Sequence, residues 1–422
     1  MDNYHKERIR PARKVGELII IPEKKISVLK KTEVLVVGGG SAGIAAALAA
    51  ARNGLETTLI ERYGYLGGMA SGGLVLNMEG FSDGEKQVIK GVAGEIVKNL
   101  EKIRGFNKSS NNFDGIFDPE DIKDVSLRLL IEAKVKILFH AYFVQAIVNR
   151  DKVEGVVIFT KLGPRAILSK VVIDATGDGD VLAFSGAFFE RGLKGIGLNF
   201  RLGNVDINLT NKFKVEDPQK YERLKENLVK EGGLEMSFYP TIREGIVWWN
   251  NMLDPEDGLD VEVLSKMEIL LREKINITLN FMRKNFPGFK ETYLIDTSSL
   301  LGVRETRRLI GEYVLTEKDI FKGKRFSDAV VHGGYLGKTG VGYDIPYRCL
   351  LPKNIEGLIV AGRCISTDKY TQDAIRVIAN CFATGEAAGH AAALSIKEKT
   401  APLTLDIEKL RRLLIKNNVY LE

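Results

Sequence analysis

The sequence predicts an α/β fold: a parallel sheet with a β-meander crossover, flanked by helices and interrupted by an inserted α+β substrate/cap domain. Three observations lead there. An apolar run, a glycine turn and an alanine-rich helix follow one another over 34–53; three β-rich runs joined by short turns fill 141–173; and a second apolar strand leads into another alanine-rich helix over 357–393. A chain of 422 residues exceeds one typical core, so two domains are expected. The sequence divides them as 1–184 and 337–422, forming one domain in two parts, with 185–336 as the insert.

Apolar content of 45% and charged content of 27% are those of an ordinary globular protein. The formal charge of +6 is small for this length, and no basic patch interleaved with aromatics is visible, so no nucleic acid partner is expected. Cys349, Cys364 and Cys381 lack metal-ligand or CxxC spacing, which suggests a reduced, cytoplasmic chain. Met1 to Lys14 is polar and Leu18 to Ile21 is cut short by Pro22, so neither a leader nor a membrane partner is expected.

Val34 to Val37 reads as a buried parallel strand. Gly38 and Gly40 permit a tight turn and close approach of backbone to a pyrophosphate, and Gly43 lets helix pack on strand. The helix beginning at Ser41 and Ala42 directs its unpaired N–H groups and positive dipole end at the phosphates, and Gly54 closes it. Thr57 to Ile60 forms a second strand ending in Glu61, about 20 residues beyond the turn, where an acid accepts ribose hydroxyls. This is a Rossmann-like dinucleotide site, and the motif alone does not separate NAD from FAD.

Six glycines between Gly64 and Gly80 suit a backbone running along a long cofactor. The segment Glu61 to Ser71, with Arg62, Gly67, Gly68 and Met69, resembles the E-R-x-G-x-x-G-G-x-x-S/T signature of FAD-dependent oxidoreductases of the glutathione reductase class. The resemblance implies that FAD runs along these residues. Asp118, Pro119, Glu120 and Asp121 then form a helix start, with Ile122, Val125, Leu129 and Ala133 on one face. A strand at Lys136 to His140 leads into runs at 141–148, 153–160 and 166–173, read as an antiparallel meander. In the resembled class such a meander is the usual crossover, which implies that Phe143 and Val144 lie near adenine. Ala175, Thr176 and Gly177 resemble the second short FAD motif. Asp178 and Asp180 have ligand-like spacing but no terminal Glu, so no metal is expected.

In the insert, Glu216 to Lys230 and Val261 to Phe286 read as helices closed by Gly232-Gly233 and Pro287-Gly288. The second carries Leu264, Met267, Leu271, Ile275, Leu279 and Met282 as a core stripe. Arg304, Arg307 and Arg308 fall within five residues and make a candidate anion clamp, against the alternative of internal pairs with Glu305 and Glu312. His332, before Gly333-Gly334, is the best general-acid candidate among four histidines. Trp248 and Trp249 read as packing or lid.

Near the carboxy terminus the strand ending in Ala361, Gly362 and Arg363 resembles the late motif of the same class, where strand end meets pyrophosphate and ribityl chain. Ile375 and Arg376 precede a helix whose positive end, on that resemblance, faces the isoalloxazine and stabilises negative charge on the reduced flavin. Its small residues Gly385, Ala388 and Gly389 suit close packing on the turn at Gly38 to Gly43.

The pairing of G-V-R-E-T-R-R with I-P-Y-R-C-L-L-P-K and V-A-G-R-x-I-S resembles one family of FAD-dependent oxidoreductases over roughly Lys25 to Lys397. Where relatives tend to carry a His after the last motif, this chain has Thr367, Asp368, Lys369 and Tyr370. The implied activity is hydride exchange between noncovalent FAD and a small anionic, hydroxyl- or carbonyl-bearing substrate from the cap side. Arg304 and Arg348 would orient that substrate, Tyr347 or His332 would move the proton, and Cys349 is at most a flavin-neighbouring thiol. A flavin electron-transfer subunit and a flavin-dependent biosynthetic or RNA-modifying enzyme stay open as alternatives, as do the electron acceptor and a homo-oligomeric state.

Overall fold

The computed structural model describes residues 25–110, 113–334 and 342–421, with the strand backbones of Arg13–Val15 and Leu18–Ile20. The domain boundary at 336 and most of the polar stretch Met1 to Lys14 lie outside the described residues.

The main sheet has seven strands. They include β1 (Val28–Val37), β2 (Thr57–Ile60), β3 (Lys136–Leu138), β4 (Tyr142–Asn149), β5 (Lys152–Thr160) and β6 (Gly163–Asp174). The order is β3-β2-β1-β6-β5-β4, and Leu358–Val360 also pairs with β6. β1, β2, β3, the second half of β6 and Leu358–Val360 run parallel, whereas β4, β5 and the first half of β6 form the antiparallel meander. β6 is the joint: Leu168 opposes Gly155 of β5, while Val172 opposes Leu358. Val34 to Val37 and Val171 to Ile173 are buried, the continuous apolar pattern of strands covered on both faces. The strand expected over Lys136 to His140 ends at Leu138, because His140 takes a positive φ of 56° that an extended strand cannot hold.

Three helices pack near this sheet: α1 (Ser41–Arg52), α2 (Gly91–Lys102) and α3 (Pro119–Glu132). α3 starts where its cap predicts, with the Asp118 carboxylate accepting from the Glu120 and Asp121 N–H groups. The insert has its own core, in which Phe200 stacks on Trp249 at 5.4 Å beside Leu271, Met282 and Phe289. Its long helix α4 (Val261–Asn285) is capped by Asp260 and buries Met267, Leu271, Ile275, Leu279 and Met282 of the stripe expected of a core face, while Leu264 is only partly buried against that core. The helix expected from Glu216 begins at Pro218, since Asp217 caps it, and a separate helix at Ile207–Glu216 was not foreseen because its pattern is largely polar.

The fully buried part of the insert's core ends at Phe289, with Leu294, Leu301 and Val303 packed against it. Leu309, Leu315, Ile320, Val330 and Val331, counted with the insert in the sequence division, pack instead into the sheet core. The second alanine-rich helix, α5 (Ile378–Glu398), lies along α1. Gly385 sits against the Ala42 carbonyl and Gly389 against that of Ala46, so a Cβ at either would overlap α1 backbone. Among the described residues no helix is long and apolar enough to cross a membrane.

Candidate functional site

A cavity of about 670 Å³ opens where the carboxyl ends of β1, β2, β6 and Leu358–Val360 meet the insert. The glycine turn contributes Gly38, Gly40, Ser41 and Ala42. The end of β2 adds Glu61, Arg62 and Tyr63, and the following loop adds Gly68 and Met69. Ala141 to Phe143 and Ala175 to Asp178 follow, then Gly362, Arg363, Arg376, Ile378 and Cys381. Leu259, Val261 and Leu264 close it from the insert.

The turn is shaped by its glycines. Gly38 has φ 103° and lies against the Ala175 carbonyl, and a Cβ on Gly43 would overlap the Gly38 carbonyl oxygen. Gly40 differs: its backbone is ordinary, at φ −73°, and the nearest heavy atom to a Cβ there is 4.0 Å away. The protein itself does not require glycine at this position, but it opens the first turn of α1, whose N–H groups carry no side-chain cap. Such a helix start suits a phosphate. Glu61 is buried; its carboxylate accepts from the Gly39 N–H at 2.7 Å and the Tyr63 N–H at 2.9 Å, which fixes it at the wall.

The Ala-Thr-Gly turn is held by a residue that sequence reading passed over. Asp174 is fully buried; one carboxylate oxygen accepts from the Thr176 N–H and hydroxyl at 3.0 and 2.7 Å, the other from the Leu182 N–H at 2.8 Å. Its place at the end of an apolar strand, directly before the turn, was the available signal. Beyond it, Asp178 accepts from Arg363 and from the Thr306 hydroxyl, and Asp180 pairs with Arg307 at 2.9 Å. Burial, then the charges of Asp178 and Asp174, raises Asp180 to about 6.

Gly67 has φ 106° and donates its N–H to the Gly39 carbonyl, supporting the turn from behind. Val144 faces solvent, 43% exposed, because side chains alternate along β4 and Phe143 takes the inward position. Ile375 is buried outside the lining.

The four residues expected to do chemistry are not brought together. Tyr347 is buried with its hydroxyl donating to the Pro402 carbonyl at 3.1 Å, and burial raises it. Arg348 is half-exposed and bound to Asp328 at 2.8 and 3.1 Å. His332 is buried with Asp344 2.8 Å from Nδ1 and Arg325 beside it. None of the three lines the cavity. Cys349 is also buried away from it, and Cys381 is the lining thiol; burial raises both.

Arg304 is not itself a lining residue, but it follows Val303, which lines the cavity, and Arg376, which also lines it, is close enough to act on its charge. The Arg304 side chain donates a long 3.4 Å bond to the Gly195 carbonyl, and no carboxylate lies within ion-pair distance of it among the described residues. Arg308, by contrast, is spent on Glu305 at 2.5 Å, the internal pair that the sequence left open. Among the described residues no group of three or more His, Cys, Asp or Glu is arranged to hold a metal ion.

A family model described as FAD dependent oxidoreductase matches residues 33–414. A thiamine thiazole synthase from Metallosphaera sedula is 30% identical over 164 residues, covering 36% of this chain and 56% of that protein. The chain therefore spans little more than half of that relative's length. A cinnamate reductase from Clostridium sporogenes is 46% identical over 77 residues, 18% of this chain and 11% of that one. A geranylgeranyl bacteriochlorophyll reductase-like protein from Thermoplasma acidophilum shares the fold with a TM-score of 0.50 and 17% identity, covering 93% of this chain and 84% of its own.

Proposed function

The chain belongs to the FAD dependent oxidoreductase family, and from that premise we propose that it exchanges a hydride with a small anionic substrate held by Arg304 and Arg376. The enzyme uses FAD, and the cavity suits it: open space at Gly40 before an uncapped helix start, an anchored acid at Glu61 and a path from Phe143 to Ile378 match a long dinucleotide. We assign Gly38, Gly40, Ser41 and Ala42 to the pyrophosphate and Glu61 to the adenosine ribose. Arg62 and Phe143 flank the adenosine end, while Gly68, Met69, Gly362 and Arg363 lie toward the flavin. Bound FAD supplies the acceptor or donor of the hydride; the protein's part is to hold and orient the substrate.

The observation that carries the substrate class is Arg304. Burial, then neighbouring Arg376, pulls its guanidinium down to about 10; Asp373 acts the other way but forms its ion pairs with Arg376 and Lys194. Arg376 shares Asp373 with Lys194, each at 3.0 Å. A partly buried cation without a paired carboxylate is costly, and a substrate carboxylate or phosphate relieves that cost with bidentate bonds. The test is anaerobic flavin bleaching by a panel of hydroxy acids, amino acids and their uncharged amides. Arg304→Gln is expected to slow bleaching by the acids on the order of 10²-fold, as loss of a charged hydrogen bond does, while sparing the amides. Equal loss for acids and amides would refute the assignment.

Asp180 gives the site a pH dependence. Below about 6 its carboxyl is neutral; above, it adds negative charge close to a bound pyrophosphate. FAD affinity of the apoprotein is therefore expected to be highest below pH 6 and to fall, by up to about tenfold, as pH rises through that value. Asp180→Asn should flatten the profile measured by flavin fluorescence quenching.

A further inference from the structure

A second cavity of about 670 Å³ lies among α1, α2 and α5 and shares no lining residue with the first. Its floor carries Glu386 and His390, one turn apart on α5 and only 3% and 2% exposed. Asn53 fixes the histidine: its Nδ2 donates to the Ala49 carbonyl at 2.8 Å, which orients the amide, and lies 2.9 Å from His390 Nδ1. Nδ1 therefore accepts, and the ring proton is assigned to Nε2. That N–H has no hydrogen-bond partner among the described residues; Glu386 Oε1 stands 3.9 Å away. Glu386 Oε2 accepts from the Val92 N–H at 2.9 Å, which leaves Oε1 unbonded as well. Two polar atoms of buried side chains thus face one cavity without satisfying each other, an arrangement that a ligand atom between them would complete.

The rim states the ligand's charge. Arg52 is paired with Glu95 at 2.6 Å and Lys108 with Glu101 at 2.9 Å, while Lys98 and Lys102, one turn apart on α2 and exposed, have no acidic partner among the described residues. Lys90 also lines the cavity, resting on the Tyr420 ring. Unpaired cations in this number match an anion of more than one charge.

We propose that this cavity binds a phosphate-bearing small molecule, one phosphate oxygen meeting His390 Nε2 and Glu386 at the floor and the remaining charge meeting Lys98 and Lys102. Burial raises Glu386 to about 7 and pulls His390 down to about 4, so at neutral pH the imidazole is uncharged and the carboxyl is available as a second donor. The groups facing Glu386 are the Val92 N–H and Glu95 from α2, Arg52 from α1 and His390 on its own helix. Phosphate binding therefore favours the protonated carboxyl.

The test is calorimetric titration of the FAD-saturated enzyme with inorganic pyrophosphate. One saturable site is expected, weakened at least tenfold in K98E/K102E, whose exposed positions leave the core intact. E386Q supplies an N–H in place of the acid proton while its carbonyl still accepts from Val92, so at pH 8 it should bind about tenfold tighter than the parent. Absence of saturable binding, equal affinity in K98E/K102E, weaker binding by E386Q, or displacement of pyrophosphate by free FAD would each overturn the proposal.

Discussion

Gly40→Ala is expected to fold as the parent does and yet lose at least tenfold in FAD affinity. The protein has room for the methyl group, with 4.0 Å to the nearest heavy atom, and the backbone at φ −73° accepts alanine without strain. The cost falls on the ligand, whose pyrophosphate must approach the α1 N–H groups at van der Waals distance; displacement by a few tenths of an ångström and loss of one charged hydrogen bond amounts to about 1.5–3 kcal/mol. Gly43→Ala is the control. Its Cβ would overlap the Gly38 carbonyl, and α1 cannot retreat because Gly385 and Gly389 of α5 hold it from the other side. That variant should lose both FAD and stability, the latter by about 1–3 kcal/mol as overpacked cores do. Thermal melts of the apoproteins beside flavin fluorescence titrations separate the two. An equal drop in melting temperature for both variants would contradict the ligand-based account of Gly40.

Asp174→Ala should destabilise the protein by about 3–6 kcal/mol, the largest effect expected of any single change at the site. Three donors, the Thr176 N–H and hydroxyl and the Leu182 N–H, lose their acceptor in a fully buried place, and each unsatisfied donor costs about 1–3 kcal/mol. Asp174→Asn keeps one carbonyl oxygen but turns an amide N–H toward a donor, so it should recover only part of the loss. Burial raises the Asp174 carboxyl. Its ionisation therefore opposes folding, and the stabilising share of this group is present below the ordinary carboxylate range and fades as pH rises through its folded value. Urea unfolding of parent and both variants measures all three quantities. A loss under 1 kcal/mol for Asp174→Ala would mean that the turn is held by other contacts.

The fold was largely legible because its signals are local. Strand, turn, helix and closing glycine over 34–54 each have a cause within a few residues, and the cap of α3 and the stripe of α4 are of the same kind. The cavity wall was legible for the same reason: most of the expected site residues that line it belong to turns directly after apolar strands. The chemistry was not. Tyr347, Arg348 and His332 were chosen by residue type and neighbouring motif, but their partners, Pro402, Asp328 and Asp344, are set by tertiary packing that no spacing reveals. Asp178 meeting Arg363 and Thr306 is likewise a long-range meeting. Where 309–331 belongs was not legible either, because its side chains meet the sheet core only through tertiary packing.

The double service of β6 has a consequence for biosynthesis. Its first half is satisfied by β5 as soon as the meander emerges from the ribosome, but its second half waits for Leu358–Val360, which is translated only after the entire insert. Until then the strand carries an open edge beside the glycine turn, and the Gly362–Arg363 wall does not exist. Such distant pairing closes late and slowly. A nascent chain therefore passes through a long interval in which the turn at Gly38 to Gly43 is formed but the opposite wall is missing, and on the proposed assignment flavin retention begins only once Gly362 and Arg363 are in place.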